Sequence, residues 1–356
     1  MTPDGFWNGR KVFITGHTGF KGSWLVSLLA ALGARVSGYA LAPDTTPNLF
    51  DLADVGGLLE HSELADIRDA ERLAHSMRNC EPDLVIHMAA QPLVRRSYID
   101  PRTTWDVNVM GTVNTLDAVR ASPSVRGVIV VTSDKSYENK GWHWGYREID
   151  RLGGHDPYSA SKAATELVVD SYRLSFLASQ GVLLASARAG NVIGGGDWSD
   201  DRLLPDVARA VSGGQEVVVR NPDSTRPWQH VLDCLNGYLA LGRRLLEGHA
   251  SAASAYNFGP DQSANVTVGD LLAQLGQVWP EMKWRHDAAD SSDALHEATF
   301  LYLDSSKARR ELRWAPKWGI GATVAAAAEW YRLVQADPTA APAVTNRQLE
   351  AFLSHA

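Results

Sequence analysis

The chain has 356 residues, 45% of them apolar and 21% charged, with a formal net charge of −7. This composition suits a globular chain with one large domain or two smaller ones, and it excludes a disordered polymer. The acidic balance argues against a nucleic-acid partner, no apolar run is long enough to span a membrane, and the polar first ten residues predict no secretory leader.

Residues 12–15 read as a short buried strand. Gly16, Gly19 and Gly22 follow in the pattern GxxGxxG, and Leu25, Leu28, Leu29 and Leu32 then recur at helical spacing until Gly33. A strand, a glycine loop and a helix bring backbone close to a pyrophosphate and aim free N–H groups and a positive dipole end at it. Chance supplies about 0.2 such glycine patterns at this composition, so the placement carries the reading rather than the pattern. Gly16, Thr18, Gly19, Phe20, Lys21 and Gly22 are the candidate dinucleotide contacts. A second strand is predicted over 34–41. Its end offers neither a well-placed acid for a ribose hydroxyl nor an Arg for a 2′-phosphate, which favours NAD over NADP.

A weak strand over 62–65 leads to Asp66 and Ile67, and a helix over 69–79 follows. Residues 84–88 form an apolar strand that runs into Ala89, Ala90 and Gln91. A long helix over 102–121 contains Asn108, and a buried strand over 128–132 ends at Thr132, Ser133, Asp134 and Lys135. Alternating strands and helices predict an α/β fold, a doubly wound parallel sheet of Rossmann type. Ligands of such a sheet lie beyond the carboxyl ends of its strands, so these strand-end stretches should meet in one cleft.

After a loop over 138–156, a helix over 158–178 opens with Tyr158 and Lys162. They are four apart and share a face. A tyrosine beside an ammonium and a nicotinamide cation has a lowered pKa and acts as a base at a sugar hydroxyl. A strand over 182–187 leads to Asn191, and there the repeat breaks down. Helices follow over 204–211, from 231 to about 246, and over 268–278 and 321–334. The expected division is a dinucleotide-binding part over 1–190, with 231–250 packing back on it. A smaller α/β substrate lobe over 191–335 comes next, then a linker and short terminal helix over 336–356. Cys80 and Cys234 read as reduced thiols of a cytoplasmic protein, and His17, His230 and His296 form no metal spacing.

With the glycine loop, Ser133, Tyr158 and Lys162 in this order, the chain resembles the extended short-chain dehydrogenase/reductase family over nearly its whole length. Members of that family act on nucleotide sugars. The resemblance implies that Asp66, Ile67, Ala89, Ala90 and Asn108 contact or support the dinucleotide, and that Ser133, Tyr158 and Lys162 are catalytic. Gln91 and Thr132 lie in the same strand-end stretches and join the cofactor set. The nucleotide-hexose 4,6-dehydratases of the family carry Thr-Asp-Glu where this chain has Ser133, Asp134 and Lys135. There the hydroxyl binds the sugar 4-oxygen, the acid protonates the leaving 6-hydroxyl and the base takes the C5 proton. Lys135 departs from the commoner glutamate. Together with residues 15–24, 90–95 and 220–228, it is similar to dehydratases whose hexose is carried on cytidine diphosphate.

Arg202, Arg220 and Arg226 are candidates for the substrate pyrophosphate, because a planar guanidinium suits bidentate phosphate contact. Arg226 lies in a motif that resembles the family's Arg-Asp-Trp, with Pro227 in place of the acid. Asn191 matches a family position near the substrate phosphates, and Arg95, Leu203 and His230 complete the substrate set. The expected assembly is a homodimer or homotetramer, and NAD is held and regenerated. A 4-epimerase or simple dehydrogenase on the same fold needs neither Asp134 nor Lys135. A non-catalytic dinucleotide sensor has no use for Ser133, Tyr158 and Lys162.

Overall fold

The computed structural model describes residues 5–286 and 301–355. Seven strands form one sheet: β1 (Lys11–Thr15), β2 (Arg35–Ala40), β3 (His61–Leu64), β4 (Leu84–His87), β5 (Gly127–Val131), β6 (Leu183–Ala189) and β7 (Ala255–Phe258). Their order across the sheet is β7-β6-β5-β4-β1-β2-β3, and every pairing is parallel. The central strands are continuous apolar runs, as a sheet covered on both faces requires.

Alternation along each strand divides the interior into two cores. Val12 and Ile14 face one core with Leu84, Ile86 and Ile129. Phe13 faces the other with Val85, Val128 and Val130. Helices α2 (Ala70–Cys80), α3 (Gly111–Arg120) and α4 (Pro157–Tyr172) close the second core with Leu73, Met77, Leu116 and Val169. Helices α1 (Phe20–Ala31) and α5 (Val231–Leu246) close the first with Leu25, Leu28, Leu235 and Leu239. The remaining C-terminal residues build a lobe from helices Leu203–Ser212 and Val268–Val278 and three short strand pairs.

Three features depart from the sequence reading. Residues from beyond 190 do more than pack back through α5, because β7 becomes the edge strand of the main sheet beside β6. The long helix over 102–121 is interrupted by a π-helical turn at Asp106–Met110, which no propensity marks. The terminal helix expected within 336–356 is present, but it fills most of the segment and only a short turn precedes it. A 3₁₀ turn at Pro338–Ala340 joins α6 (Ile320–Ala336) to a 14-residue helix, α7 (Ala341–Ser354). Val344, Leu349 and Phe352 of α7 belong to the first core, so apolar burial fixes this end. His296 lies outside the described residues.

Three histidines are buried on or under the sheet. Burial lowers the pKa of His17 to about 4 and of His87 and His230 to about 3, against an ordinary 6.5. Below pH 6.5 the unfolded chain therefore binds protons that the folded chain does not, and stability falls as pH falls through that window. The expected loss is about 2 kcal/mol for each histidine between pH 7 and pH 5. Asp233 opposes it, because burial pushes its carboxyl up to about 6. Urea midpoints should accordingly be clearly lower at pH 5 than at pH 7. A flat profile over this range would contradict the burial of the three imidazoles as neutral groups.

Candidate active site

The parallel register brings the ends of β1, β4, β5 and β6 to one edge of the sheet. The glycine loop leaves β1 there. Gly16 has φ +80, and a Cβ on it would lie 2.8 Å from the Ala89 nitrogen. A Cβ on Gly22 would lie 2.1 Å from the Gly16 oxygen, so close packing of loop on helix forbids any side chain. Gly19 is different: a Cβ there would meet only the Gly16 oxygen, at 3.6 Å. The fold's own packing does not require glycine at 19. Bare backbone at the α1 N-terminus leaves room for a phosphate to approach.

The neighbouring cofactor candidates are held by hydrogen bonds. The Thr18 hydroxyl donates to the Leu41 carbonyl at 2.8 Å. Phe20 begins α1 and packs against the first core. Lys21 donates from Nζ to the Tyr238 hydroxyl at 2.8 Å. Asp66 is tied to Arg68 through both carboxylate oxygens, and Ile67 is buried against α3 beside Gly111. Ala89 and Ala90 follow β4 and are half-buried. Asn108, in the π turn, accepts from the Gln91 amide nitrogen at 2.8 Å and donates to Ser161 at 2.9 Å. The turn therefore links the β4 end to α4, which carries Tyr158 and Lys162.

Ser133, Asp134 and Lys135 sit in a 3₁₀ turn after β5, with Thr132 leading in. The Ser133 Oγ donates to Asp134 Oδ1 at 3.0 Å and accepts from the Lys135 nitrogen at 3.2 Å. It both caps the turn and faces Tyr158, whose phenol it draws down. Burial is the larger effect and leaves that phenol above its ordinary value, with Arg202 also pulling down. The sequence expects an ammonium and a nicotinamide cation to lower the phenol; in the folded chain burial raises it, and Ser133 and Arg202 are the groups that draw it down. Lys162 itself is lowered to about 8 by burial and by the ammonium of Lys21, while Glu166 opposes the drop. Its Nζ donates to the Val131 carbonyl at 3.3 Å. Burial also raises the Asp134 carboxyl, against the pull of Lys135, Ser133 and Arg226. An acid whose carboxyl is shifted toward its protonated form thus stands beside a lysine, a tyrosine and a serine.

The substrate candidates are divided. Arg226 lies in the strand Thr225–Pro227 and acts on Asp134, and Arg202 acts on Tyr158 while lying 3.9 Å from Asp197. Asn191 follows β6, where its carbonyl accepts from the Gln229 nitrogen at 3.2 Å. Arg95 reaches Asp201 at 3.4 Å, and Leu203 begins the helix Leu203–Ser212. Arg220 is exposed just after the short strand Val217–Val219. His230 is fully buried between Trp24 and Trp318, and its Nδ1 accepts from the Leu232 nitrogen at the start of α5. It is a core residue and helix cap with no surface for a ligand. Among the described residues no group of three or more His, Cys, Asp or Glu could hold a metal ion.

Sequence reasoning missed Gly190. A Cβ there would lie 2.9 Å from Asp134 Oδ2 and 3.2 Å from Pro227 Cγ, so the acid occupies space that only glycine leaves. No sequence signal gives this, because β5 and β6 meet only in the folded sheet. Glu166 was missed too, although its spacing four residues after Lys162 puts it on the same helix face.

A parallel Rossmann sheet with a glycine loop and a Tyr158–Lys162 pair at its carboxyl edge defines a short-chain dehydrogenase/reductase. The family profile described as GDP-mannose 4,6 dehydratase matches residues 13–326, and the chain belongs to that family. The chain is 46% identical over 338 residues to CDP-glucose 4,6-dehydratase of Salmonella typhimurium, covering 93% of both chains. It is 29% identical to dTDP-glucose 4,6-dehydratase of Streptomyces griseus, covering 90% of this chain and 93% of the relative. Among solved structures, a dTDP-glucose 4,6-dehydratase from Streptomyces venezuelae, with NAD and TYD bound, superposes with a TM-score of 0.76 at 25% identity. That superposition covers 92% of this chain and 99% of the other.

The crowding at Gly190 gives a direct test of Asp134. In Gly190→Ala the new methyl must displace the tip of a side chain rather than backbone, so the fold should survive. Turnover should fall by about 10- to 100-fold, the scale of a misplaced reacting group. Thermal melting together with steady-state rates checks this. Unchanged turnover would mean that the Asp134 carboxyl need not sit where it does.

Proposed function

We propose that this protein is an NAD-dependent nucleotide-sugar 4,6-dehydratase that converts CDP-D-glucose to CDP-4-dehydro-6-deoxy-D-glucose and water. The observation that carries the reading is the buried Asp134, its carboxyl raised by burial, beside Lys135 and next to Ser133 and Tyr158. A 4-epimerase needs no acid for O6 and no base for C5. The cytidine nucleotide rests on likeness to the Salmonella relative.

The glycine loop, Asp66, Ile67, Ala89, Ala90, Gln91, Asn108 and Thr132 would hold NAD. When bound, that group supplies the acceptor for the C4 hydride and its later donor to C6. Tyr158 takes the proton of the 4-hydroxyl, and Ser133 holds the 4-oxygen by a hydrogen bond. Lys162, with its pKa near 8, keeps a positive charge close to the phenol at neutral pH. Once C4 is a ketone the C5 hydrogen is acidic, and Lys135 removes it and returns a proton to C5 when C6 is reduced. Asp134 gives its proton to the leaving 6-hydroxyl, and burial keeps that proton available at a pH where an ordinary carboxyl has lost it. Arg202 and Arg226 bind the pyrophosphate.

The test is incubation with a panel of nucleotide-glucoses without added NAD, followed by NMR of the product. Turnover of CDP-glucose to the 4-keto-6-deoxy sugar is expected, and a 4-epimer as product sinks the reading. Lys135→Met should block elimination and leave C4 oxidation intact. A rapid quench should then contain the 4-keto sugar with its 6-hydroxyl retained, and C5 should not take up deuterium from D₂O. Exchange at the wild-type rate removes Lys135 as the base.

Two further proposals concern its setting. Leu167 on α4 and Leu174 in the π-helical turn Arg173–Leu177 that continues it are 63% and 78% exposed, and Trp105 and Met110 are exposed on the adjoining helical segment. A second copy covering this face explains such exposure, as a homodimer or as half of a homotetramer. Leu167→Glu with Leu174→Glu should bring the mass by light scattering down to that of one chain, and an unchanged oligomer would place the interface elsewhere. Free Cys80 and Cys234 and a nucleotide-sugar substrate suit the cytoplasm. No described helix is long and apolar enough to cross a membrane.

A further inference from the structure

Behind the reacting residues lies a buried ion pair that the proposed chemistry does not use. Tyr158, Lys162 and Glu166 are spaced by four on α4 and share one face. The first two turn to the cleft. Glu166 is 1% exposed, and its carboxylate accepts from Arg188 Nε at 2.9 Å and Nη2 at 2.8 Å. Ser186 Oγ donates to the same carboxylate at 2.7 Å, and Thr132 Oγ1 donates to its other oxygen. On its far side Arg188 donates from Nη1 to the Tyr137 hydroxyl at 2.7 Å and to the Glu148 carbonyl at 3.1 Å. The Tyr137 hydroxyl then donates to Asn257 Oδ1 at 2.8 Å, on β7.

Thr132 and Tyr137 are the residues that bracket the turn of Ser133, Asp134 and Lys135. One end of that turn is held by Glu166 and the other by Arg188. The carboxylate that holds the turn stands on the helix that carries Tyr158 and Lys162. The bidentate contact and the planar fork of Arg188 fix direction as well as distance. Two buried charges are a poor means of adding stability, since their desolvation offsets most of their attraction. Fixing geometry is the better-founded reason for such a pair.

We infer that Glu166 and Arg188 form a positioning clamp, which sets the turn of Ser133, Asp134 and Lys135 in register with Tyr158 and Lys162. The clamp lets one bound sugar meet the group that acts at O4 and the groups that act at C5 and O6 without moving. This rests on the dehydratase reading. Loosening the clamp should uncouple the two halves of the reaction: Tyr158 and Lys162 stay on their helix, while Asp134 and Lys135 drift from C5 and O6.

Tyr137→Phe is the mild variant, because the ring stays and Arg188 keeps Glu166 and the Glu148 carbonyl. Glu166→Gln is the severe one, because it leaves the buried guanidinium uncompensated. Both are compared with wild type by thermal melting, steady-state kinetics and rapid quench with CDP-glucose. For Tyr137→Phe, kcat should fall about 10-fold or more with KM little changed, the scale of a small misplacement. The quench should contain the 4-keto sugar with its 6-hydroxyl retained, well above the wild-type level. Glu166→Gln should show the same partition more strongly in whatever fraction folds, and if none folds Tyr137→Phe decides alone. A purely structural pair would lower the folded fraction and slow both halves equally. A folded Tyr137→Phe protein with wild-type kcat, or with a lower kcat and no excess of that intermediate, overturns the clamp. Failure of the wild-type protein to dehydrate CDP-glucose would instead overturn the dehydratase reading.

Discussion

Parallel pairing is the constraint on which the rest depends. Once β1, β4, β5 and β6 run in one direction, every one of their carboxyl ends opens at the same edge. The glycine loop, the Ala89–Ala90 stretch, the Ser133 turn and Gly190 are then neighbours, although they span 175 positions of the chain from 16 to 190. Pairing of this kind demands two buried faces, and the helices that cover them bring Tyr158 and Lys162 to that edge.

Closing the cleft changes what each group can do. Desolvation favours the neutral forms of the Tyr158 phenol, the Asp134 acid and the Lys162 amine alike. The directions suit the proposed reaction unequally. A carboxyl pushed toward its neutral form is better placed to give a proton. A phenol held neutral is a poor base, and Ser133 and Arg202, which draw Tyr158 down, work against the larger effect of burial. Arg202 reaches it from the C-terminal lobe, which makes the lobe part of the electrostatics. Gly190 and the Glu166–Arg188 pair make the complementary point about geometry: the acid has its place only because a side chain is missing opposite it and because its turn is held at both ends.

The sequence by itself determined the class of fold and most of the stretches that meet at the carboxyl edge of the sheet. Periodicity gave the alternating strands and helices within one to three residues at most ends, since most elements are amphipathic or wholly apolar in a way that short spacing reveals. The glycine loop, Ser133 to Lys135 and the Tyr158–Lys162 pair are local in sequence and were legible for that reason. What only the tertiary structure decided depends on pairs of residues far apart. The π turn around Asn108, the entry of Ala255–Phe258 into the main sheet, and the burial of α7 are settled by packing against distant elements. His230 stands beside Arg226 and Trp228 in sequence, yet it is drawn into the core by Trp24 and Trp318. Gly190 against Asp134 and Glu166 against Arg188 have no local signature, because each contact joins residues that meet only when the sheet has formed.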